Sequence, residues 1–156
     1  MRAYLAGPLF TPAERRYIAE LAELLRADGL DVFVPQEQEY LVPPDEVGAG
    51  TIFGTDDRGI DAADVLVAVL DGPVVDDGTA CEIGLFTGLM RSDPRRLGIV
   101  GVLTDSRSVA RDGRPQEGRG LNLFVQGCVE SVGCIVTDPA DVLPVLRRWR
   151  AGGAGG

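Results

Sequence analysis

Two short apolar runs, Val65–Leu70 and Leu97–Leu103, constrain the fold more than any other feature of the chain. Neither run alternates with polar residues, which is typical of a strand that is covered on both faces in a parallel sheet. The residues between them predict a helix over Gly78–Met90. A strand, a helix and a second strand in this order predict two parallel strands joined by a helical crossover.

The rest of the chain continues the alternation of strands and helices. Thr11-Pro12-Ala13-Glu14 is a capping box with proline at the first helical position, and the helix that it starts closes at Asp28-Gly29. Two long loops are expected, at Pro35–Thr55 and Asp105–Gly120. Further strands are predicted at Arg2–Leu5, Asp31–Val34 and Cys134–Val136, and further helices at Asp56–Ala63, Leu121–Ser131 and Asp138–Trp149.

This order of elements predicts a single α/β domain. Its expected architecture is a doubly wound, flavodoxin-like parallel sheet of about five strands flanked by helices. We expect the domain to occupy residues 1–150, followed by a flexible glycine-rich tail at residues 151–156.

Composition excludes several kinds of chemistry. The net charge is −9, which argues against DNA or RNA as a partner because nucleic-acid binding depends on basic surfaces. The chain has no histidine and all 15 of its basic residues are arginine, so histidine-based nucleophile pairs and Schiff-base lysines are absent. Most zinc sites are excluded as well, and acid–base work falls to aspartate, glutamate, tyrosine or cysteine.

The cellular setting is also an expectation from the residues. Three cysteines are an odd number with no metal-binding spacing. No apolar run approaches the roughly 18 residues of a membrane span, and the first residues do not resemble a secretory signal peptide. These features predict a cytoplasmic protein without a membrane partner.

Several carboxylates follow the end of the predicted strand Val65–Leu70. Asp71, Asp76 and Asp77 lie in the turn after that strand, and Glu82 follows within the next helix. Ligands of open α/β sheets bind at the carboxyl ends of strands. Asp71 is expected to cap a turn and Asp77 to cap the helix, which leaves Asp76 as a candidate functional residue.

Glu82 is the second candidate in this segment. Its neighbours are nearly all apolar, which predicts a helix that is buried on most sides. A buried carboxylate costs several kcal/mol, by rough estimate, unless it is neutralised, paired or used. The apolar neighbours are Ala80, Cys81, Ile83, Leu85 and Phe86.

A set of short motifs resembles the nucleoside 2-deoxyribosyltransferase family. The resemblance runs from about residue 3 to residue 136, and its most specific block is Asp76-x-Gly78-Thr79-x-x-Glu82-x-Gly84. The other motifs, in chain order, are Tyr4-Leu5-Ala6-Gly7-Pro8-Leu9-Phe10, Asp56-x-x-x-Ile60, Ala63-Asp64, Leu70-Asp71-Gly72 and Asn122-Leu123-Phe124.

The resemblance implies an enzyme that transfers 2-deoxyribose between nucleobases. Glu82 matches the glutamate that attacks the anomeric carbon, releases the base and holds the sugar as a covalent ester, with retention after the second transfer. Tyr4 matches the tyrosine that positions this glutamate. Asp56 matches the acid that hydrogen-bonds the base and handles its proton. The pairing of Glu82 with Asp56 agrees with retaining glycosyl chemistry, which needs two carboxyl groups roughly 5 Å apart.

The remaining matches concern the sugar and a second subunit. Asp76 matches a residue that binds the sugar hydroxyls, and Gly7 is expected to contact the substrate in the turn after the first strand. Asn122 matches an asparagine that a neighbouring subunit offers to the sugar, with Phe124 in place of the family's usual methionine or other apolar residue. The resemblance thus implies a homo-oligomer with shared active sites that acts on deoxynucleosides and nucleobases. Its role in the cell, nucleotide salvage or a biosynthetic step, stays open.

Two other functions stay open at this level. The first is an N-glycoside hydrolase of 2'-deoxynucleosides or of their 5'-monophosphates, which uses the same glutamate chemistry but passes the sugar to water. Pro8 and the scarcity of serines weigh against a phosphate site. A nucleoside-binding sensor would keep the pocket and lose turnover. The Pro35–Thr55 loop is expected to close over the base, while the preferred base, tolerance of ribose and the number of subunits are open.

Overall fold

One sheet of five parallel strands organises the molecule, with strand order β2-β1-β3-β4-β5. The computed structural model describes residues 1–38, 43, 45, 47–105, 107 and 120–152. The order is the flavodoxin-like one, which confirms the predicted fold class. The strands are β1 (Arg2–Ala6), β2 (Asp31–Phe33), β3 (Val65–Val69), β4 (Gly98–Val102) and β5 (Gly133–Val136).

Helices cover both faces of the sheet and create two hydrophobic cores. In β1 the alternating side chains separate: Ala3 and Leu5 pack with α1 and α6, whereas Tyr4 and Ala6 pack with α3, α4 and α5. Tyr4 therefore points towards the helices that carry the candidate carboxylates. The helices are α1 (Pro12–Ala27), α2 (Pro35–Gln38), α3 (Ala49–Asp61), α4 (Asp77–Met90), α5 (Leu123–Glu130) and α6 (Val142–Arg150).

The predicted loop over Pro35–Thr55 is wrong in part. Its first residues, Pro35–Gln38, form α2, and α3 begins at Ala49 instead of at Asp56. The sequence concealed the start of α3 because Gly50 and Gly54 are poor helix formers. The second predicted loop, at residues 105–120, lies almost entirely outside the described residues.

The last helix begins later than its sequence suggests. Asp138 accepts a hydrogen bond from the Ala140 amide at 2.9 Å, and the chain first makes a 3-10 turn over Pro139–Asp141. Pro144 has no N–H to donate to the Ala140 carbonyl, so a continuous α-helix from Pro139 would lose a hydrogen bond and is disfavoured. The regular helix accordingly starts at Val142. Within the described residues, no helix combines the length and the apolar character needed to cross a membrane.

Candidate active site

A cavity of about 580 Å³ opens at the carboxyl ends of β1 and β3. These two strands are adjacent, and the chain runs outward from them in opposite directions along the sheet. Ligands of doubly wound folds bind at this switch point. The lining residues are Gly7, Leu9, Phe10, Pro35, Gln38, Val47, Ile52, Thr55, Asp56, Asp76, Asp77, Gly78, Thr79 and Glu82.

Tyr4 and Glu82 form the central contact of the site. Tyr4 is fully buried in β1, and its Oη donates a hydrogen bond to Glu82 Oε1 at 2.5 Å. Glu82 lies in the second turn of α4, where one side borders the cavity. The hydrogen bond engages one carboxylate oxygen, so the other oxygen, Oε2, is available to a ligand in the cavity.

The surroundings of this pair change the ionisation of both groups. Burial raises the pKa of Glu82 to about 7, and the charges of Asp56 and Asp76 act in the same direction, while the hydrogen bond from Tyr4 opposes them. Burial and the neighbouring Glu82 carboxylate also raise the pKa of Tyr4 far above its usual range. The phenol therefore remains a hydrogen-bond donor at neutral pH, and Glu82 ionises near pH 7.

Asp76 caps α4, which corrects the prediction that Asp77 does so. One Asp76 oxygen, Oδ2, accepts hydrogen bonds from the amide and the hydroxyl of Thr79, at 2.9 and 3.0 Å. Asp77 instead accepts from the amide of Gly78. The cap fixes the start of the helix that carries Glu82, and Asp76 also borders the cavity.

Asp71 links the turns that follow β3 and β4 through hydrogen bonds. Its two oxygens accept hydrogen bonds from the Thr104 amide and hydroxyl, both at 2.6 Å, and from the Asp105 amide at 3.0 Å. It bridges two loops, where the sequence predicted only a turn cap. The bridge holds the chain that leads from β3 towards Asp76.

Asp56 and Gly7 reach the cavity from other elements. Asp56 lies in the middle of α3, and Gly7 follows β1 directly. A side chain at position 7 would collide with Ile18, because an added Cβ would lie 2.5 Å from its Cδ1. A residue with a Cβ at position 7 would therefore require the Ile18 side chain behind the cavity to shift.

Asn122 and Phe124 do not line the cavity of their own chain. Asn122 caps α5 by accepting hydrogen bonds from the amides of Phe124 and Val125, at 3.0 and 3.2 Å. The Phe124 side chain is 80% exposed. The tertiary structure thus brings together five of the seven residues named from the sequence and leaves these two outside.

The expectation that α4 is buried on most sides is wrong for the single chain. Ile83 and Phe86 are fully buried, but Leu85 on the opposite side is 39% exposed, and Cys81 is also exposed. Neighbouring residues on α5 are exposed as well, notably Leu123 and Phe124. These exposed apolar side chains on α4 and α5, two helices that pack together, therefore have no cover within the described chain.

Sequence reasoning missed much of the cavity wall. Five lining residues come from the segment that was predicted to be a loop, and Leu9 and Phe10 follow the β1 turn. The unusual length of that segment was the available signal, since long connections often carry function. The five residues are Pro35, Gln38, Val47, Ile52 and Thr55.

Known proteins are similar to this chain in sequence or in structure. An uncharacterized protein of Ureaplasma parvum is 31% identical over 152 residues, covering 92% of each chain. A solved structure, of a conserved protein from Enterococcus faecalis V583, is 29% identical with a TM-score of 0.77 over 95% of this chain and 98% of that chain.

Two solved structures below 25% identity share the fold. The 2-deoxyribosyltransferase of Bacillus psychrosaccharolyticus has a TM-score of 0.67 at 24% identity, over 91% of this chain and 90% of that chain. The CMP N-glycosidase of Clostridium botulinum has a TM-score of 0.54 at 18% identity, over 96% and 99%. The family model described as nucleoside 2-deoxyribosyltransferase matches residues 3–140. A match over nearly the whole domain shows that the chain belongs to the nucleoside 2-deoxyribosyltransferase family.

Proposed function

We propose that this protein transfers a 2-deoxyribosyl group between nucleobases through a covalent ester on Glu82. The observation that carries the proposal is the pairing of Tyr4 Oη with Glu82 Oε1 at 2.5 Å, beside a cavity that Asp56 also borders. A buried carboxylate with a perturbed pKa in a cleft is a candidate for catalysis. Membership of the family supports the same reaction.

The proposed reaction has two displacements at the sugar's C1'. Ionised Glu82 attacks C1' through Oε2 as the bond to the base nitrogen breaks, and Asp56 gives its proton to the departing base. A second base then attacks C1', its N–H proton returns to Asp56, and the ester bond breaks to regenerate the Glu82 carboxylate. Two inversions give net retention. The absence of a 2'-hydroxyl makes the cationic transition state easier to reach.

The remaining cavity residues fit supporting roles. Tyr4 holds one oxygen of Glu82 and so directs the other towards C1'. We assign Asp76 to the sugar hydroxyls, because it lies at the start of the same helix and borders the cavity. Gly7 lets the substrate approach the backbone after β1. The scheme uses only side chains of the protein, without a metal ion or an organic cofactor.

The charge of the cavity favours an uncharged nucleoside as the substrate. Of the described lining residues, Asp56, Asp76, Asp77 and Glu82 are acidic and none is basic. A 5'-phosphate in this cavity would meet like charges, and repulsion between close charges of one sign is costly. We therefore favour 2'-deoxynucleosides over their monophosphates.

Hydrolysis is the second candidate function, and the fold shared with a CMP N-glycosidase favours keeping it. In that reaction water takes the place of the acceptor base at the glycosyl ester. Assays of one deoxynucleoside with and without an acceptor base separate the two: a new nucleoside identifies a transferase, and free deoxyribose alone identifies a hydrolase. A nucleoside sensor would show binding without either product.

The covalent intermediate gives the first testable prediction. Brief exposure to a 2'-deoxynucleoside without acceptor, followed by an acid quench, should add the mass of one deoxyribosyl group to the intact protein. Peptide mapping should place the group on Glu82, because its carboxylate is the nucleophile of the scheme. The stereochemistry of the product is the second measurement, and inversion at C1' or an adduct on another residue would contradict the scheme.

We also propose that a second copy completes the site. Asn122 and Phe124 lie outside the cavity of their own chain. Leu85, Leu123 and Phe124 are exposed apolar side chains on α4 and α5, two helices that pack together. Burial of such side chains stabilises association. In a two-fold dimer, each copy then offers Asn122 and Phe124 to the cavity of its partner.

A complementation experiment tests the shared site. Asn122→Ala and Glu82→Gln copies should each be nearly inactive alone, since each lacks one required group in every site. Co-expressed with different tags and purified through both, a two-fold dimer should regain about half of the wild-type activity, because one of its two sites is intact. Activity that stays at the level of the separate variants would contradict sharing, as would an unimpaired Asn122→Ala protein.

The setting of the reaction is part of the proposal. The three cysteines are all free thiols in the structure. Free thiols are typical of proteins in reducing compartments. We place the protein in the cytoplasm, with nucleotide salvage as its role.

A further inference from the structure

An aromatic stack lies behind the Tyr4–Glu82 pair. Phe33 in β2 is the register partner of Tyr4 in the neighbouring strand β1. Their rings are stacked, with centroids 5.2 Å apart and an interplanar angle of 14°. Tyr4 belongs to the core on the side of α3 and α4, and the partly buried Phe33 packs against that core. Phe33 does not border the cavity, so any effect it has on the site passes through Tyr4.

A glycine on α3 makes room for this stack. Gly59 is buried in the helix, one turn after Asp56. A Cβ at position 59 would lie 2.7 Å from Phe33 Cε1 and 2.8 Å from both Cδ1 and Cζ. Carbon atoms that are not bonded do not pack this closely, since their optimal separation is about 3.5–4.0 Å. The position of α3 against the sheet therefore depends on the missing side chain.

We propose that Phe33 and Gly59 are positioning residues of the active site. Gly59 allows helix α3, which carries Asp56, to lie against the ring of Phe33, and that ring supports Tyr4 in its contact with Glu82. The consequence for catalysis rests on the proposed function, whereas the consequence for the Tyr4–Glu82 contact does not.

Close packing explains why the arrangement is sensitive. A methyl group at position 59 would overlap the partly buried Phe33 ring, so it must displace that ring, against which Tyr4 stacks, or push α3 away from the sheet. The first movement displaces the phenol from Glu82, and the second withdraws Asp56 from the cavity. Loss of the Phe33 ring has the converse effect, since it leaves space into which Tyr4 can turn.

The experiment compares Gly59→Ala and Phe33→Leu with the double variant. Each single change should lower kcat about tenfold or more, with a much smaller change in KM, because substrate contacts remain while the reacting groups shift. The double variant should lose much less kcat than the product of the two single losses, because the methyl group at position 59 no longer meets a ring. Phe33→Tyr keeps the ring and should retain most of the wild-type kcat.

A second readout does not need turnover. The Tyr4 hydrogen bond lowers the pKa of Glu82, so a displaced phenol should move the Glu82 titration to higher pH. Carboxyl ¹³C NMR of glutamate-labelled protein measures this midpoint, with the signal assigned by Glu82→Gln. Gly50→Ala is the matched control on the same helix, because a Cβ there meets nothing within 4 Å and should leave kcat and the midpoint unchanged.

The outcomes separate this inference from the proposed function. A folded Gly59→Ala or Phe33→Leu protein with a lower melting temperature but a wild-type midpoint and kcat would show that the residues only stabilise the fold, and would overturn the inference. If the wild-type protein releases no base from any 2'-deoxynucleoside, the proposed function fails, and the NMR midpoints still decide whether the stack holds Tyr4 against Glu82.

Discussion

Replacing Glu82 by glutamine is expected to lower kcat/KM by about four orders of magnitude or more, while making the protein more stable at pH 8. The amide keeps the shape of the side chain and can still accept a hydrogen bond from Tyr4 Oη. It cannot form the glycosyl ester, because a neutral amide is a poor nucleophile. Losses of this size are typical when the group that attacks the substrate is removed.

The gain in stability follows from the burial of the carboxylate. The pKa of Glu82 is about 7 in the folded chain, against 4.5 for the unperturbed group. The folded protein therefore holds this proton more tightly than the unfolded chain does. The stabilisation from the protonated acid is complete below about pH 4.5 and is lost as the pH rises through about 7. At pH 8 the buried charge then costs about 3 kcal/mol, which glutamine removes.

Denaturant unfolding at pH 4.5 and pH 8, at one protein concentration, measures this effect beside the kinetics. The free energy of unfolding of the Glu82→Gln protein should exceed that of the wild type at pH 8 by about 3 kcal/mol and match it at pH 4.5. Glu20→Gln, on the exposed side of α1, is the matched control and should change neither quantity. Turnover within tenfold of the wild type would exclude Glu82 as the nucleophile. Equal free energies of unfolding for the two proteins at pH 8 would exclude a destabilising effect of the buried Glu82 charge.

Replacing Asp56 by asparagine should lower kcat for ordinary 2'-deoxynucleosides by about 10²–10⁴-fold. Without a proton, the base would depart as an anion, which is a poor leaving group. Asp56 borders the same cavity as Glu82 and is the proposed donor of that proton. Asparagine can still hydrogen-bond the base but cannot supply the proton. Asp57→Asn is the matched control, since Asp57 follows on the same helix without lining the cavity.

A substrate with an activated leaving group isolates the proton transfer. The base of N7-methyl-2'-deoxyguanosine carries a positive charge and departs as a neutral molecule, so it needs no proton from the enzyme. The Asp56→Asn protein should process this substrate within about tenfold of the wild-type rate. Equal losses on the activated and ordinary substrates would show that Asp56 positions the base instead of protonating it.

The accuracy of the sequence predictions followed the strength of the local signals. The runs at Val65–Leu70 and Leu97–Leu103 correspond to β3 and β4, and the capping box at Thr11 starts α1 as predicted. These signals are local, because burial on both faces and satisfaction of helix ends are visible in a few residues. The start of α3 was missed because Gly50 and Gly54 lower the helix propensity of its first turns, so these turns carry no strong local signal.

The choice between Asp76 and Asp77 as the cap shows the same limit at the scale of one residue. Either aspartate satisfies the sequence preference at the start of α4. The path of the turn places the Asp76 carboxylate, and not that of Asp77, against the amide and hydroxyl of Thr79. Backbone geometry that the sequence does not display made the choice.

The order of residues was enough to predict the class of fold, the absence of histidine and lysine from the chemistry, and the acids that follow β3. It did not show that Tyr4 meets Glu82, that α3 brings Asp56 to the same cavity, or that Asn122 and Phe124 do not line that cavity. Apolar periodicity and capping are properties of neighbouring residues, whereas a site between β1, α3 and α4 depends on how distant segments pack.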